Sequence, residues 1–417
     1  MSLATFLLAL LLAFSVTADP VELNPSRITL PVFRRFNITG VGNLVLNDRN
    51  RAKVLKLKGA RNAAVGAGLQ VPVTNASVIG TPIKEQAVTY VASVAIGSPS
   101  TAYNLIVDSG SSNTWIGAGT PYHRTATSFM TTDTVAVFYG TRSFSGTEFI
   151  DQVSLGTGLT IKQQSIGVAS TSQGFAGVDG VLGVGPTCLT VGTLSPSSDC
   201  CTNTVTDNLF AQGTISANEV SISMQPSSTL NVSNGEITWG GIDASKFTGA
   251  ITFITTTNTS PANEFWGIDV SVRFGPSTVI LATTAGVIDT GITLILLAAN
   301  GFTKYKAATG GVLDNATGLL RLTTAQFASL QSLFFVIGGT TFELTANGQI
   351  WPRALNANIG GTAGAVYLIV ANLGSSSGEG LDFALGMTFL QRFYAVLDTA
   401  NDRVGLANTP FTKATTN

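Results

Sequence analysis

The chain has 417 residues, only 11% of them charged, and a single histidine, His123. One His cannot build a Ser–His–Asp or Cys–His site unless it is itself the base, and it excludes most zinc sites, which gather His with Cys. A net charge of −1 leaves no basic stripe for nucleic acid, while 44% apolar content argues for packed cores, two or three domain-sized units in this length.

The first element is the run LATFLLALLLAFS at 3–15, followed by Val16, Thr17 and Ala18. An apolar core of about a dozen residues before a small-x-small site predicts a secretory signal peptide over 1–18. It is too short for a permanent span, and no second long apolar run follows, so no membrane anchor is expected.

Residues 19–76 carry nine Lys/Arg and three acids, a balance of +6. Residues 77–417 carry 13 basic and 20 acidic groups, or −7. A basic leader would be attracted to such an acidic body near neutral pH and released as the carboxylates protonate. That predicts a removable propeptide over 19–76; a solvated basic arm is the plainer alternative. The stretch from Gly66 to Ser77 is where cleavage is expected.

The remainder reads mainly as strands. Short runs rich in Val, Ile, Thr and Phe recur at 88–96, 104–107, 135–138, 149–155, 219–223, 236–239, 250–254, 265–274, 366–370 and 393–397. Gly, Ser, Asn and Pro break them. Helix is expected over 206–212 and over 323–334, the latter after a Thr cap.

Three cysteines, Cys188, Cys200 and Cys201, allow one disulfide from Cys188 to either neighbour. Sequons at Asn37, Asn75, Asn231, Asn258 and Asn315 fit a secreted glycoprotein, with the last four the better candidates. No metal site is expected.

An internal repeat organises the body. LIVDSGS runs to Ser111 and GVIDTGI to Ile292. Each Asp follows an apolar strand, and each is followed at a distance by apolar-apolar-Gly, at Gly183 and at Gly386. Two similar halves predict lobes that face each other and contribute one aspartate each, Asp108 and Asp289. Two adjacent carboxylates cannot both ionise and share a proton. The charged one can take a proton from water while the neutral one donates to a substrate carbonyl. Aspartic proteases are the standing example of this chemistry. It needs no His and no metal.

The strings VDSGSSNTW (107–115), VIDTG (287–291), FYGT (138–141) and the ending FLQRFYAVLD (389–398) with RVGLA (403–407) resemble the pepsin family of aspartic proteases. TVTDNLF (204–210) and GLLRLTTAQ (318–326) resemble its fungal polyporopepsin group. The resemblance covers about 80–410. It implies a bilobal acid protease fold, two pseudo-twofold-related β lobes at 77–249 and 250–417 with a cleft between. It also implies a secreted, monomeric endopeptidase acting on proteins and peptides at acidic pH without cofactors. Pepstatin-like inhibitors and its own propeptide would bind the same cleft.

By the same resemblance Asp108 and Asp289 are the catalytic pair. Ser109 and Thr290 lock the lobes, and Ser111 supports Asp108. Tyr139 lies over the cut bond and bonds Trp115. Gly140, Thr141, Gly110, Gly291 and Ile106 complete the substrate-binding set. One of Lys53, Lys56 or Lys58 is expected to meet the carboxylate pair. Three positions depart from the family pattern. Ile292 replaces a hydroxyl residue, which should raise the Asp289 pKa and give a less acidic optimum or weaker activity. If activity were lost altogether, the chain would be a silent peptide-binding relative. Arg142 replaces a Gly at the flap tip, implying acidic or polar substrate groups nearby. Thr141 stands where several fungal members have Asp, so acceptance of Lys beside the cut should be weak.

Overall fold

The computed structural model describes residues 28–38, 44–68, 86–199 and 201–416. The expected signal segment and the Gly66–Ser77 cleavage stretch beyond Gly68 lie outside the described residues, as does Asn75.

Strand β1 (Ile28–Ile38) alternates, with Leu30, Val32 and Arg34 turned inward and Pro31, Phe33 and Arg35 exposed. Period-2 alternation suits a half-buried strand. It pairs with β2 (Gln86–Ile96) on one edge and with strand Val232–Trp239 on the other. It therefore sits inside a 14-stranded sheet rather than at its rim. Buried Arg34 donates to the carbonyls of Ser227 at 2.7 Å and Thr229 at 3.3 Å.

Helix α1 (Leu44–Gly66) follows. Its buried stripe includes Leu44, Asp48, Arg51, Leu55, Gly59 and Asn62, at helical three- and four-residue intervals. Sequence reading missed it for a physical reason. Asn47, Asp48, Arg51, Gly59 and Asn62 interrupt the apolar residues of the inward face, while Leu46 and Leu57 are exposed, so the apolar periodicity is too broken to mark it. The inward glycine has a function. A Cβ on Gly59 would stand 2.6 Å from the Pro261 carbonyl oxygen, so the bare backbone lets the helix approach the body closely.

Most expected strands recur, several with longer ends. The run at 265–274 becomes a strand only from Gly267, and the run at 366–370 breaks into Val366–Tyr367 and Val370–Asn372, which belong to different sheets. β3 (Thr101–Asp108), β4 (Trp115–Ile116), β5 (Phe129–Phe138), β6 (Ser143–Ser154), β7 (Thr160–Gln173) and β8 (Gly180–Gly183) continue the large sheet. A seven-stranded sheet holds the second half's main strands, among them Gly267–Phe274 and Thr278–Ile288. Strands Phe393–Asp398 and Arg403–Asn408 return to the large sheet beside Glu219–Met224. The fold is mainly β. The lobe division expected at 249/250 falls inside strand Thr248–Thr255.

One helix expectation is corrected. Thr323 caps a helix through the Gln326 amide, but the helix spans only Thr324–Ala328. Leu333–Ile337 is instead a strand with Leu333, Phe335 and Ile337 buried in alternation and paired with Gly267–Phe274. Sheet pairing overrode the helical spacing there. The other expected helix forms over Val205–Ala211, closed by a Thr204–Asp207 capping box.

The repeat becomes geometry. β3 pairs in parallel with β8, Asp108 opposite Gly183, and β4 pairs antiparallel with the other side of β8. Thr278–Ile288 pairs in parallel with Phe383–Leu385, whose other side takes Ile295–Leu297 antiparallel. Each aspartate loop thus crosses over an apolar-apolar-Gly strand. The glycine is required: a Cβ on Gly183 would lie 2.5 Å from Ser112 backbone carbon, and one on Gly386 2.3 Å from the Leu294 oxygen.

Candidate active site

Both aspartates end buried strands and face each other across the two loops, 3% and 0% exposed. The residues between them and their glycines join the loops. Ser109 N–H donates to Thr290 Oγ1 at 2.9 Å, and Thr290 N–H returns to Ser109 Oγ at 3.0 Å. Thr290 Oγ1 also donates to the Val107 carbonyl at 2.8 Å. The glycines leave room and supply amides. Gly110 N–H donates to Asp108 Oδ1 at 3.1 Å and Gly291 N–H to Asp289 Oδ1 at 2.9 Å. A Cβ on either would come within 2.8 Å of the opposite carboxylate.

The two carboxylates differ. Ser111 Oγ donates to Asp108 Oδ2 at 2.5 Å. At the equivalent place beside Asp289 stands Ile292, fully buried, with no hydroxyl to offer. Burial pushes Asp108 up, but the Arg51 charge, the Ser111 hydroxyl and the Gly110 amide together hold it below its ordinary value. Burial raises Asp289 to about 6, with the Asp108 charge adding to it and Arg51 opposing.

The cation at the pair is Arg51 of α1. Its Nη2 lies 2.7 Å from Asp108 Oδ1 and its Nε 3.1 Å from Asp289 Oδ2. This corrects the expected Lys53, Lys56 or Lys58. Lys53 is exposed and Lys58 partly buried. Lys56 pairs with Glu379 at 2.9 Å and bonds Ser375. Arg51 was hard to find from sequence because nothing local distinguishes it among nine basic residues. Asp48, one turn earlier on the same stripe, was also missed. Its carboxyl accepts from Thr293 N–H at 3.1 Å and Leu294 N–H at 2.8 Å, beside the second loop. Burial raises it to about 7 against the pull of those amides.

The flap is the hairpin between β5 and β6. Tyr139 Oη accepts from Trp115 Nε1 at 2.9 Å. Trp115 stacks on Phe144 and meets Phe175 edge-on, which fixes Tyr139 from behind. Gly140 has φ 104°, and a Cβ there would touch Arg51 N at 2.9 Å, so the flap lies directly on α1. Ile106, Tyr139, Thr141 and Gly291 line a small cavity of ≈ 50 Å³ with Asp48 and Arg51. Trp115 is wholly buried and acts through Tyr139.

Outside the site, Cys188 bonds Cys201, with Cα atoms 4.7 Å apart; Cys200 lies outside the described residues. Asn62 Nδ2 donates to the Cys188 carbonyl at 3.3 Å, so α1 also rests on that loop. Asn231, Asn258 and Asn315 are exposed, as is His123. Among the described residues no cluster of His, Cys, Asp and Glu could hold a metal, and no helix is long and apolar enough to cross a membrane.

A family model for eukaryotic aspartyl proteases matches residues 89–409. The chain belongs to the eukaryotic aspartyl protease family. It is an aspartic-type endopeptidase with the pepsin-like fold. The protease is 61% identical to polyporopepsin from Irpex lacteus over 336 residues, 81% of this chain and 98% of that protein. It is 30% identical to rhizopuspepsin-1 from Rhizopus niveus, with 95% of each chain covered. A crystal structure of an aspartic proteinase from Irpex lacteus superposes with a TM-score of 0.78 at 62% identity. That alignment covers 79% of this protease and 96% of that chain.

Proposed function

We propose that the protein is a secreted acid endopeptidase made as a zymogen, with Asp108 and Asp289 as its catalytic pair. Residues 1–18 are its signal peptide and 19–76 its propeptide. The family model begins at residue 89, beyond both. The observation that carries the proposal is Arg51, which occupies both carboxylates from a segment preceding the family domain. That guanidinium sits where an attacking water and a peptide carbonyl would have to bind.

Once α1 leaves, the pair shares one proton. Each carboxylate accepts from its own glycine amide, and the Ser111 hydroxyl that only Asp108 receives favours charge there, so Asp289 holds the proton. Asp108 then takes a proton from the attacking water while Asp289 donates to the carbonyl oxygen, giving a gem-diol with no covalent bond to the enzyme. Asp108 next passes its proton to the leaving nitrogen as the C–N bond breaks, and Asp289 recovers a proton from a gem-diol hydroxyl. The substrate lies extended in the cleft vacated by β1 and α1, under Tyr139. Its backbone is gripped by the amides around Gly291 and by the flap. A monomer suffices, since both aspartates come from one chain. Pepstatin-like inhibitors would compete for that cleft. Exposed Asn231, Asn258 and Asn315 are the proposed glycan positions, together with Asn75.

The test uses the secreted product, its N-terminus sequenced and its activity on denatured casein followed from about pH 2 to 7 with and without pepstatin. Inhibitor-sensitive cleavage with a maximum in acid, lost in Asp108→Asn and in Asp289→Asn, is the expected result. A folded, processed protein that binds pepstatin but cleaves nothing would establish the silent peptide-binding alternative instead.

A further inference from the structure

Helix α1 sets two further cations, Arg49 and Lys56, against one loop of the body. The loop at 373–380 follows strand Val370–Asn372. Gly374 has φ 99°, and a Cβ there would stand 2.8 Å from Arg49 Nε, so that guanidinium rests on bare backbone. Lys56 Nζ donates to Ser375 Oγ and to Glu379 Oε2, the latter at 2.9 Å. The Lys56 side chain is only 16% exposed, so the loop encloses it as well as holding its head. Lys56, the Ser375 hydroxyl and the Ser376 amide together hold the Glu379 carboxyl below its ordinary value.

The loop owes its shape to the body. Asp382, wholly buried, accepts from the amides of Gly378 at 2.7 Å and Glu379 at 3.2 Å and from the Thr284 hydroxyl. Asn300 exchanges hydrogen bonds with Ser377, and Ala299 N–H donates to the Ser375 carbonyl at 2.8 Å. None of these partners belongs to α1, so the pairing of Ser375 with Glu379 outlasts departure of the helix. The place is also near the chemistry. Lys56 follows Arg51, which stands on the aspartate pair, by five residues, about 7.5 Å of helix rise. An extended substrate covers that distance in two to three residues. A carboxylate backed by a hydroxyl receives an ammonium through charge-assisted hydrogen bonds.

We propose that Ser375 and Glu379 form a subsite that selects a basic substrate side chain two to three residues from the cut bond, and that Lys56 fills it in the unprocessed chain. The inference rests on the protease reading above and narrows its substrate class. Thr141 lies on the flap of the first half and this loop in the second, so weak acceptance of Lys directly beside the cut is compatible with it.

Matched peptides with Lys, Gln or norleucine, scanned through four positions on each side of one cleavage site, test it. The processed enzyme is assayed at about pH 5.5, above the ordinary glutamate value of about 4.3, with the cut bond confirmed by mass spectrometry. The expected kcat/KM ratio of Lys over Gln is about threefold at one position, the scale of a half-exposed ion pair. The ratio should fall to near unity in Glu379→Gln and drop in part in Ser375→Ala. In Glu379→Lys, Glu should become preferred over Gln at that position. Ratios near unity at every position in the unaltered enzyme, or a ratio unchanged in Glu379→Gln, would overturn the proposal while leaving the protease reading intact. Failure to cleave any peptide would sink the protease reading. The same Lys and Gln peptides, fluorescently labelled, then decide the inference by their Kd ratio in anisotropy, a ratio near one overturning it.

Discussion

Arg51 reaches Asp108 through Nη2 at 2.7 Å, although 57 residues separate them in the chain, and the same guanidinium reaches Asp289 through Nε. One side chain therefore bridges two buried carboxylates that would otherwise repel, its single charge offsetting one of theirs. Arg suits this better than Lys, because a planar fork can donate in two directions at once. Removing one partner of a buried ion pair costs about 3–5 kcal/mol. Arg51→Ala should therefore release α1 and give the unprocessed chain measurable peptidase activity at mildly acidic pH. Arg51→Lys should leak less. Hydrolysis of a fluorogenic peptide by an uncleaved preparation checks both; silence in Arg51→Ala would mean another contact holds the segment.

Asp48 gives docking of α1 a pH dependence of its own. Its carboxyl is raised to about 7 when docked, against an ordinary 3.8. A carboxyl raised in the docked state binds an extra proton there. Its contribution is complete below the ordinary value and is lost as pH rises through 7. Asp108 has the opposite sign. Held low by Arg51, it contributes above 3.8 and loses that contribution as pH falls further. Docking should be tightest in mild acid and weaken on both sides. Asp48→Asn should remove only the loss on the neutral side, seen as a flatter leakage of activity between about pH 5 and 8.

Gly59 offers a test confined to the unprocessed chain. An alanine Cβ would press on the Pro261 carbonyl oxygen at 2.6 Å, and backbone cannot swing aside. Gly59→Ala should destabilise docking by about 1–3 kcal/mol, the range for overpacking. The Tm of the unprocessed chain should fall. The processed enzyme, having lost this residue, should be indistinguishable from the unaltered one in kcat/KM and Tm.

Ile292→Thr addresses the asymmetry of the pair. A hydroxyl beside Asp289 would stabilise its charged form and lower its pKa. The alkaline limb of the kcat/KM profile, set by the proton that Asp289 must hold, should move toward lower pH, by up to about one unit. The buried isoleucine leaves a small defect, so Tm should also drop by the equivalent of about 1 kcal/mol. A profile that does not move would show that Ile292 has no part in setting the pH range.

The two aspartate loops were legible because their requirements are local. An apolar strand, an Asp, a hydroxyl residue and a Gly are consecutive letters, and the glycines of Gly183 and Gly386 mark the strands those loops must cross. Strand content was legible for the same reason, since alternating runs such as Gly267–Phe274 write their burial into the sequence. Over 323–334 the helical spacing misled, because Leu333–Ile337 takes its conformation from hydrogen bonds to a strand some sixty residues earlier.

What the sequence by itself determined is the chemistry: two carboxylates that need no help from the single histidine, and a charge division between a basic leader and an acidic body. What only the tertiary structure decided is which basic residue meets those carboxylates and which cysteine Cys188 bonds. Net attraction between leader and body is long-ranged and indifferent to position. Choosing Arg51 over three nearby lysines requires the depth and rotation of α1, and those are set by Gly59 closing on Pro261, by Asp48 on the Thr293 and Leu294 amides, and by Lys56 on Glu379. Contacts so distant along the chain leave no mark on the spacing of the residues that make them.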